Sequence, residues 1–201
     1  MPAIDQNDTR ESLLDAMERL LARYGYKKTT MDDLAREAGI GKGTIYLHFP
    51  SKEEVALSSI DRVVDRVQEQ LRAIAGSSSP VAERLKEMLQ ARVLCRFDSV
   101  KAYSESLDDL FESLRPAYMA RRQTYFEKEA DIFAEVLSEG RRQKVFHFVD
   151  AVATATLLLM ATNSLLPYSL STRELGKRSE IDERITGLAD LLLNGLLTRT
   201  K

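Results

Sequence analysis

The sequence predicts an all-α protein in which an N-terminal three-helix domain precedes a larger C-terminal helical domain. Apolar residues recur at three- and four-residue spacing along most of the chain, as they do on one face of a helix. Glycine and proline separate these segments at ordinary helix lengths. No segment reads convincingly as a strand. Together these observations favour helices packed on helices.

The first helix is predicted by one apolar face and a stop signal. The face contains Leu13, Leu14, Met17, Leu20, Leu21 and Tyr24. Gly25 follows and is expected to end the helix. Thr30 and Asp33 resemble a capping box, with aspartate in place of the usual Glu or Gln, and predict a short second helix that Gly39 ends.

The third and fourth helices are bounded by local signals. A short helix runs from Lys42 to about His48, and Pro50 prevents it from continuing. Ser51 and Glu54 form a second capping box, which opens a longer helix. Its apolar stripe is Val55, Ile60, Val63, Val64, Val67, Leu71 and Ile74.

The loop at residues 76–80 is the expected hinge between two domains. Residues 1–52 form the first domain, the fourth helix (52–75) is the connection, and residues 76–201 form the second domain. The second domain is predicted to contain helices at about 80–96, 99–114, 116–139, 146–166 and 180–198. The expected separators are Asp98, Pro116, Gly140 and the loop 167–178.

Composition excludes several classes of function. The 201 residues carry a formal net charge of −2 and a pI near 5.8, which excludes a uniformly basic nucleic-acid binder but allows a local basic surface. Cys95 is the only cysteine, so an internal disulfide is impossible, and His48 and His147 are the only histidines. We therefore expect neither a zinc site of the usual Cys/His type nor any other metal or cofactor.

Neither a secretion signal nor a membrane span is expected. The N-terminal segment MPAIDQNDTRES is polar and acidic, whereas a signal peptide needs a basic start and an apolar run. Residues 151–172 carry no charge, but threonine, asparagine and serine interrupt their apolar run, which falls short of the ~20 residues that a span requires. The expectation is a cytoplasmic protein with a buried helix at this position.

Residues 39–52, GIGKGTIYLHFPSK, contain three glycines and a lysine that could cradle a phosphate. However, Arg36 and Gly43 stand where a P-loop has glycine and Ser or Thr, and a helix rather than a strand precedes the segment. The better interpretation joins the second helix, the Gly39 turn and the third helix as a helix-turn-helix. The residues expected to pack inward are Ile40, Ile45 and Phe49.

Residues 29–55, TTMDDLAREAGIGKGTIYLHFPSKEEV, resemble the N-terminal domain of TetR-family transcriptional regulators. The Tyr-Gly end of the first helix, the Thr-Thr pair, the Ala-Gly turn, Gly-Thr-Ile-Tyr and His-Phe-x-Ser-Lys all match in order. The resemblance covers roughly residues 10–60. The remainder of the chain matches the family only in being helical and of suitable length.

The resemblance implies double-stranded DNA as the partner. It implies phosphate contacts by Thr30, Tyr46, His48 and Lys52. It implies contacts to bases or the nearby backbone by Lys42, Gly43, Thr44 and Leu47. Gly41 departs from the family pattern, in which Ser or Thr often caps the third helix, so base readout is expected to be narrower. Residues 1–52 contain eight basic and eight acidic residues, so binding must depend on where the charges lie.

A homodimer is expected because one short recognition helix makes few contacts, and helix-turn-helix proteins usually dimerise on a palindrome. The last two predicted helices, 146–166 and 180–198, are the candidates for the dimer interface. The resemblance implies that they form a four-helix bundle with their twofold mates. The alternative is that these helices only close the core of one chain.

The resemblance also implies a pocket for a small-molecule effector, whose binding would shift the fourth helix and separate the two DNA-binding heads. The candidate lining residues are Arg92, Cys95, Arg96, Phe97, Tyr103, Phe111, Tyr118, Met119, Tyr125 and Phe126. Their composition favours an apolar effector, although the same residues would also build an ordinary core. Two further hypotheses are that Arg92 or Arg96 pairs with an acidic ligand and that Cys95 senses oxidants.

The resulting prediction is a ligand-responsive DNA-binding repressor that leaves a palindromic operator when a small apolar molecule binds. No catalytic site is predicted, because both histidines are isolated and the acidic residues lie on solvated faces. One alternative is a helical enzyme, which turnover of a substrate would reveal. The other is an interaction module that does not bind DNA, which absent or salt-insensitive DNA binding would support.

Overall fold

The computed structural model describes residues 6–197, and most of them are helical. Within that range no β-strand forms, and an isolated antiparallel bridge pairs Phe146 with Leu197. The predicted all-α class is therefore confirmed. None of the helices in the described range is long and apolar enough to cross a membrane.

Four helices make up the N-terminal part: α1 (Gln6–Lys28), α2 (Met31–Ala38), α3 (Lys42–His48) and α4 (Lys52–Ala75). Gly25 interrupts α1 with a φ of 73°, a conformation that glycine adopts without steric penalty. The predicted stop at Gly25 is therefore a kink, after which a short turn continues to Lys28. The predicted starts and ends of α2 and α3 are confirmed.

The C-terminal part contains α5 (Val81–Val100), α6 (Leu107–Arg142), α7 (Ala151–Thr162), α8 (Thr172–Leu175) and α9 (Arg178–Leu196). A 3-10 helix at Lys101–Ser106 follows α5, and two short 3-10 turns follow α7. The prediction of separate helices at 99–114 and 116–139 is wrong, because Pro116 lies inside α6. Proline removes one backbone hydrogen bond, and the helix continues through it because Leu114 and Tyr118 on either side are buried in packing contacts.

The start of α7 is five residues later than predicted. Asp150 caps this helix, since its Oδ1 accepts a hydrogen bond from Ala153 N at 2.6 Å. The preceding Phe146 is buried, and its ring packs so closely on Gly140 that any β-carbon there would collide with it. Phe146 therefore belongs to the turn after α6 and not to α7.

The chain divides into two compact units. The first falls within residues 1–63 and 100–120, and the second within residues 64–99 and 121–201. The first unit thus includes the start of α6 in addition to α1, α2, α3 and the first half of α4. The functional boundary between residues 52 and 76 stays a prediction.

Each unit has its own buried apolar side chains. In the first unit the predicted inward face of α1 is buried, except that Tyr24 is 49% exposed. The prediction that Tyr24 belongs to the inward face is therefore wrong, and the guanidinium group of Arg23 lies 5.7 Å from the centre of its exposed ring. The core of the second unit includes Leu85, Met88, Leu89, Val93, Phe133, Leu137, Leu159 and Ile185.

Candidate nucleic-acid interface

The N-terminus of α2 is held by a reciprocal set of hydrogen bonds. Asp33 N donates to Thr30 Oγ1 at 3.1 Å, and Thr30 N donates to Asp33 Oδ2 at 3.1 Å. The Thr30 hydroxyl also donates to Asp33 Oδ2 at 2.6 Å, and this bond is the main reason that the pKa of Asp33 lies below its ordinary value. Thr30 is exposed at the first turn of α2, where free backbone N–H groups favour a phosphate.

The turn after α2 depends on two glycines. Gly39 has φ 69° and ψ 27°, the left-handed conformation that ends a helix, and Ile40 N then donates to Ala35 O at 3.1 Å. Gly41 precedes α3 in an extended conformation, and its carbonyl accepts from Thr44 N at 2.9 Å. As predicted, Gly41 offers no side-chain cap to α3.

Two apolar side chains fix the inner side of α3. Ile45 and Phe49 are fully buried, as predicted, and Arg10 of α1 lies over the Phe49 ring at 5.2 Å. Ile40 is only half-buried, so the expectation that it packs inward is met in part. The orientation of α3 is therefore set mainly by its C-terminal turn, and the opposite side faces outward.

The outward side of α3 brings together six of the eight residues that the sequence predicts for DNA contact. Tyr46 is 49% exposed and Leu47 is 84% exposed. Lys42 and Gly43 are exposed, and Thr44 and His48 are half-buried, which completes the six. This surface combines a phenol, an imidazole, an ammonium group and a large apolar side chain. Its roles in DNA contact stay predictions.

Lys42 is linked to the preceding helix. Its Nζ donates to Asp32 Oδ2 at 2.9 Å, and this hydrogen bond, more than the nearby charges, raises the pKa of Lys42. Both side chains are about half exposed, so a phosphate or a base could compete for the ammonium group. Lys42 therefore reaches the candidate surface in an orientation that Asp32 sets.

Lys52 has a more internal position than a surface phosphate contact would need. Its Nζ donates to Tyr26 O and to Thr29 O, both at 2.9 Å, and lies 4.2 Å from the centre of the Tyr26 ring. Burial lowers the pKa of this ammonium group. Two of its three N–H donors are thus used to tie the start of α4 to the end of α1. A phosphate contact through the third donor stays a prediction.

Thr29 is a structural residue that the sequence interpretation missed. It is buried, and its Oγ1 donates to Gly25 O at 2.8 Å, which satisfies a carbonyl at the kink in α1. The Thr-Thr pair thus has two different roles, since Thr29 closes α1 and Thr30 opens α2. The local signal that could have shown this is the position of Thr29 four residues after a helix-ending glycine.

Charged residues of α1 are neutralised by partners on neighbouring helices. Arg19 Nε donates to Glu37 Oε1 at 2.7 Å, which joins α1 to α2. Arg62 of α4 binds three carboxylates on one side of α1. Burial opposes its charged form, but the hydrogen bonds to the three carboxylates together outweigh burial and raise its pKa. The three acceptors are Glu11 Oε2 at 3.1 Å, Asp15 Oδ1 at 2.7 Å and Glu18 Oε1 at 2.6 Å.

Arg92 and Arg96, predicted for the effector pocket, are buried and bind a single carboxylate. Arg92 Nε donates to Glu129 Oε2 at 2.7 Å, and Arg96 donates to Glu129 Oε1. Arg92 Nη1 also donates to Leu159 O and Thr162 Oγ1, and Nη2 donates to Asn163 Oδ1. These arginines hold α5 against α6 and the end of α7. An acidic ligand would have to displace protein partners to reach them.

The predicted aromatic residues do not form one cluster within either unit. Tyr103, Phe111, Tyr118 and Met119 fall in the first unit, where the rings of Phe111 and Tyr118 pack edge to face at 5.6 Å. Phe97, Tyr125 and Phe126 fall in the second unit, with Cys95 and the two arginines. Met119 is 46% exposed. A common pocket for these residues stays a prediction.

Cys95 lies at the wall of an open cavity of about 600 Å³ in the second unit, between α4, α5 and α9. Burial is the largest effect on the thiol and raises its pKa, and the nearby Arg96 only partly opposes this. A redox sensor needs a lowered pKa, so these surroundings argue against that role. At the rim of the cavity Arg178 Nε donates to Asp98 Oδ1 at 2.8 Å.

Residues 13–58 match the family model described as bacterial regulatory proteins, tetR family. This segment begins in α1 and ends in α4, so it contains the whole of α2, the Gly39 turn and α3. The chain belongs to the TetR family of transcriptional regulators. The resemblance of residues 29–55 to the N-terminal domain of this family is therefore confirmed.

Similarity to individual proteins extends beyond this segment. The HTH-type transcriptional regulator LmrA of Bacillus subtilis strain 168 is 26% identical over 168 residues, which span 77% of this chain and 87% of LmrA. The HTH-type transcriptional repressor KstR2 of Mycobacterium tuberculosis H37Rv is 27% identical over 143 residues, 70% of each chain. The crystal structure of a transcriptional regulator from Cytophaga hutchinsonii ATCC 33406 has the same fold, with a TM-score of 0.76, 24% identity and coverage of 94% of this chain and 98% of that one. This TetR-family regulator therefore shares its fold with a known regulator along most of its length.

Proposed function

We propose that this TetR-family regulator is a repressor that binds a palindromic operator as a homodimer and is released when a small apolar effector binds its C-terminal domain. The observation that carries the proposal is the exposed outward side of α3 in a helix-turn-helix whose α3 is anchored on its inner side by the buried Ile45 and Phe49. The relatives are transcriptional regulators, so the proposal includes no catalytic activity. A protein with this role acts in the cytoplasm, where bacterial operators are found.

Phosphate contacts supply most of the affinity in this proposal, and contacts to base edges supply the sequence preference. Thr30, Tyr46 and His48 contact phosphates, and Lys52 adds its third N–H donor. The residues assigned to bases or the nearby backbone are Lys42, Gly43, Thr44 and Leu47. Because basic and acidic residues are balanced in residues 1–52, the attraction depends on this local arrangement and weakens as salt rises.

The exposed side of α7 supports the homodimer. Val152, Leu157 and Met160 are more than half exposed, and Leu157 reaches 65%. Val149, which directly precedes the cap of α7, is also exposed. Large apolar side chains recurring along one side of a helix are unfavourable in water and typical of a surface that another chain covers.

The exposed side of α9 supports the same interface. Leu191 is 71% exposed, and Gly187 and Gly195 lie one turn before it and one turn after it. A β-carbon on either glycine would meet no atom within 4 Å, so nothing within the described part of the chain requires glycine there. Glycine inside a helix costs about 1 kcal/mol relative to alanine. Two such glycines beside an exposed leucine are explained if the helix of a second copy approaches α9 closely.

Release from the operator follows if the effector binds more tightly to a dimer whose two recognition helices no longer match the spacing of the half-sites.

The internal partners of Arg92 and Arg96 support an apolar effector over an acidic one. The hydrogen bonds of both arginines are made to Glu129 and to groups of α5, α7 and its C-terminal turn. An acidic ligand would have to break this network, whereas an apolar ligand would leave it in place.

Selection of random duplex DNA by the purified protein at two salt concentrations tests the proposal. We expect a palindrome to be enriched and its affinity to fall steeply with salt. Tyr46→Ala should weaken binding to this palindrome. Tyr24→Ala is the matched control, because Tyr24 is also 49% exposed but lies on α1, outside the helix-turn-helix. Failure to enrich any sequence, with or without extracts of candidate effectors, would contradict the proposal.

A further inference from the structure

The most exposed side chain of α3 is apolar. Leu47 is 84% exposed, whereas Tyr46 beside it is 49% exposed. The side chain of Leu47 has no hydrogen-bond donor or acceptor, so it cannot contact a phosphate or a polar base edge by a hydrogen bond. Its exposure is unfavourable in the free protein, and a contact that removes its methyl groups from water would be favourable.

The glycine one turn before Leu47 allows this side of α3 to approach a surface closely. Gly43 and Leu47 are four residues apart and therefore lie on the same side of the helix. Among the residues that the structure describes, a β-carbon added at Gly43 would meet no atom within 4 Å, and one added at Gly41 would meet only Thr44 Oγ1. Because neither glycine has a side chain, the backbone at the start of α3 can come near a binding partner. Leu47 can then extend further into that partner.

Two polar side chains of α3 near Leu47 are restrained by the protein itself. Lys42 is directed by its hydrogen bond to Asp32, and His48 is half-buried at the end of α3. Among groups in the major groove, the C5-methyl of thymine is the apolar one, while the other edges of the bases present donors and acceptors. A leucine that enters the groove is therefore matched by thymine.

We infer that Leu47 recognises the C5-methyl group of a thymine in each half-site of the operator. This inference rests on the proposed function, since it requires that α3 enters the major groove. It assigns to Leu47 a specificity role in which the base is read by an apolar contact and not by a hydrogen bond. Each half-site therefore contains an A·T pair at the position that Leu47 contacts.

The test uses the selected operator with each thymine replaced in turn by deoxyuridine, which lacks only the methyl group. Both half-sites carry the same replacement, and affinity is measured for the parent protein, Leu47→Ala and Tyr46→Ala. For the parent we expect one position at which deoxyuridine weakens binding about fourfold per half-site, the value of one buried methyl group. At that position 5-methylcytosine should bind better than cytosine by a similar factor.

The variants separate this inference from the proposed function. Leu47→Ala should bind the thymine operator more weakly and should no longer distinguish thymine from deoxyuridine at that position. Tyr46→Ala should bind weakly but keep the distinction, because it removes a phosphate contact. If the parent binds the operator and no deoxyuridine position matters, or if Leu47→Ala keeps the distinction, the inference is wrong although the proposed function stands. If no duplex is bound, the proposed function itself fails.

Discussion

Arg92 Nε lies 2.7 Å from Glu129 Oε2 in the interior of the second unit, where both side chains are almost completely buried. Glu129 also accepts a hydrogen bond from Arg96, so one carboxylate serves two guanidinium groups from α5. Removing one member of a buried ion pair leaves the other charge without compensation, which is costly in a medium of low polarity. The stability of this unit should therefore depend strongly on Glu129.

Glu129→Gln is expected to lower the free energy of unfolding by about 3–5 kcal/mol, because two buried arginines lose their counter-charge. Chemical denaturation followed by circular dichroism measures this change. Glu135→Gln is the matched control, since Glu135 lies on the same helix and is exposed. A loss in Glu129→Gln no larger than in the control would show that the buried pair contributes little.

The carboxylate of Glu129 should also make the folding stability of the protein depend on pH. Burial opposes ionisation of Glu129, but the charges of Arg96 and Arg92 outweigh burial and hold its pKa below the ordinary value of 4.5. A carboxyl group with a lowered pKa stabilises the folded state above its unfolded pKa, and this contribution is lost as the pH falls through the folded pKa. The stability difference between the parent and Glu129→Gln should therefore be constant near pH 7 and shrink below about pH 4. Denaturation curves of both proteins over this range check the prediction, and a difference that grows on acidification would contradict it.

Arg62 should stabilise the N-terminal unit by holding α4 against α1. Arg62→Met is expected to lower the free energy of unfolding by about 1–3 kcal/mol, because three carboxylates lose a shared charged donor. Thermal and urea unfolding measure the effect. Arg72→Met is the control, since Arg72 is exposed on the same helix. Equal stability of the two variants would indicate that the three ion pairs only offset the cost of burying Arg62.

Leu191→Glu should produce a folded monomer that no longer binds the operator. The substitution places a charge in the proposed interface between two copies of α9, whereas in the free chain Leu191 is exposed and the charge costs little. Light scattering gives the oligomeric state, circular dichroism the helix content, and a binding assay the affinity. Glu183→Ala on an exposed part of α9 serves as the control. A dimeric Leu191→Glu protein would place the interface elsewhere.

Gly187→Ala with Gly195→Ala provides an independent test of the same surface. Alanine should raise helix stability in the separated chain by up to about 1 kcal/mol per position. In the dimer each added methyl group would keep the two α9 helices apart. The dissociation constant of the variant dimer should therefore be larger than that of the parent dimer. Sedimentation over a range of concentrations measures this shift. An unchanged or tighter dimer would show that the glycines do not lie at the interface.

The helix-turn-helix was predictable from the sequence because its signals are local. Thr30 and Asp33 are three residues apart and bond to each other, Gly39 supplies a left-handed turn, and Pro50 follows the end of α3. Each of these features requires only neighbours within one helical turn. Their order along residues 24–55 was also specific enough to identify the family, which the match at residues 13–58 confirmed.

Other features depended on partners that are distant in the sequence. Arg92 and Arg96 meet Glu129 only because α5 packs against α6, and the spacing of these residues carries no sign of the contact. Lys52 similarly meets the carbonyls of Tyr26 and Thr29, which made a predicted surface lysine partly internal. Side-chain hydrogen bonds of this kind depend on which helices pack together and not on the spacing of residues along the sequence.

The amino-acid sequence by itself determined the all-α class, the helix-turn-helix and the outward set of residues on α3, because hydrogen bonds and apolar spacing within a few residues are enough to specify them. Only the tertiary structure decided that α6 continues through Pro116, that Tyr24 faces outward, and how far Leu47 protrudes. These outcomes depend on which surfaces become buried when helices pack together. The burial of these particular side chains is set by the assembled fold, so no local pattern could specify it.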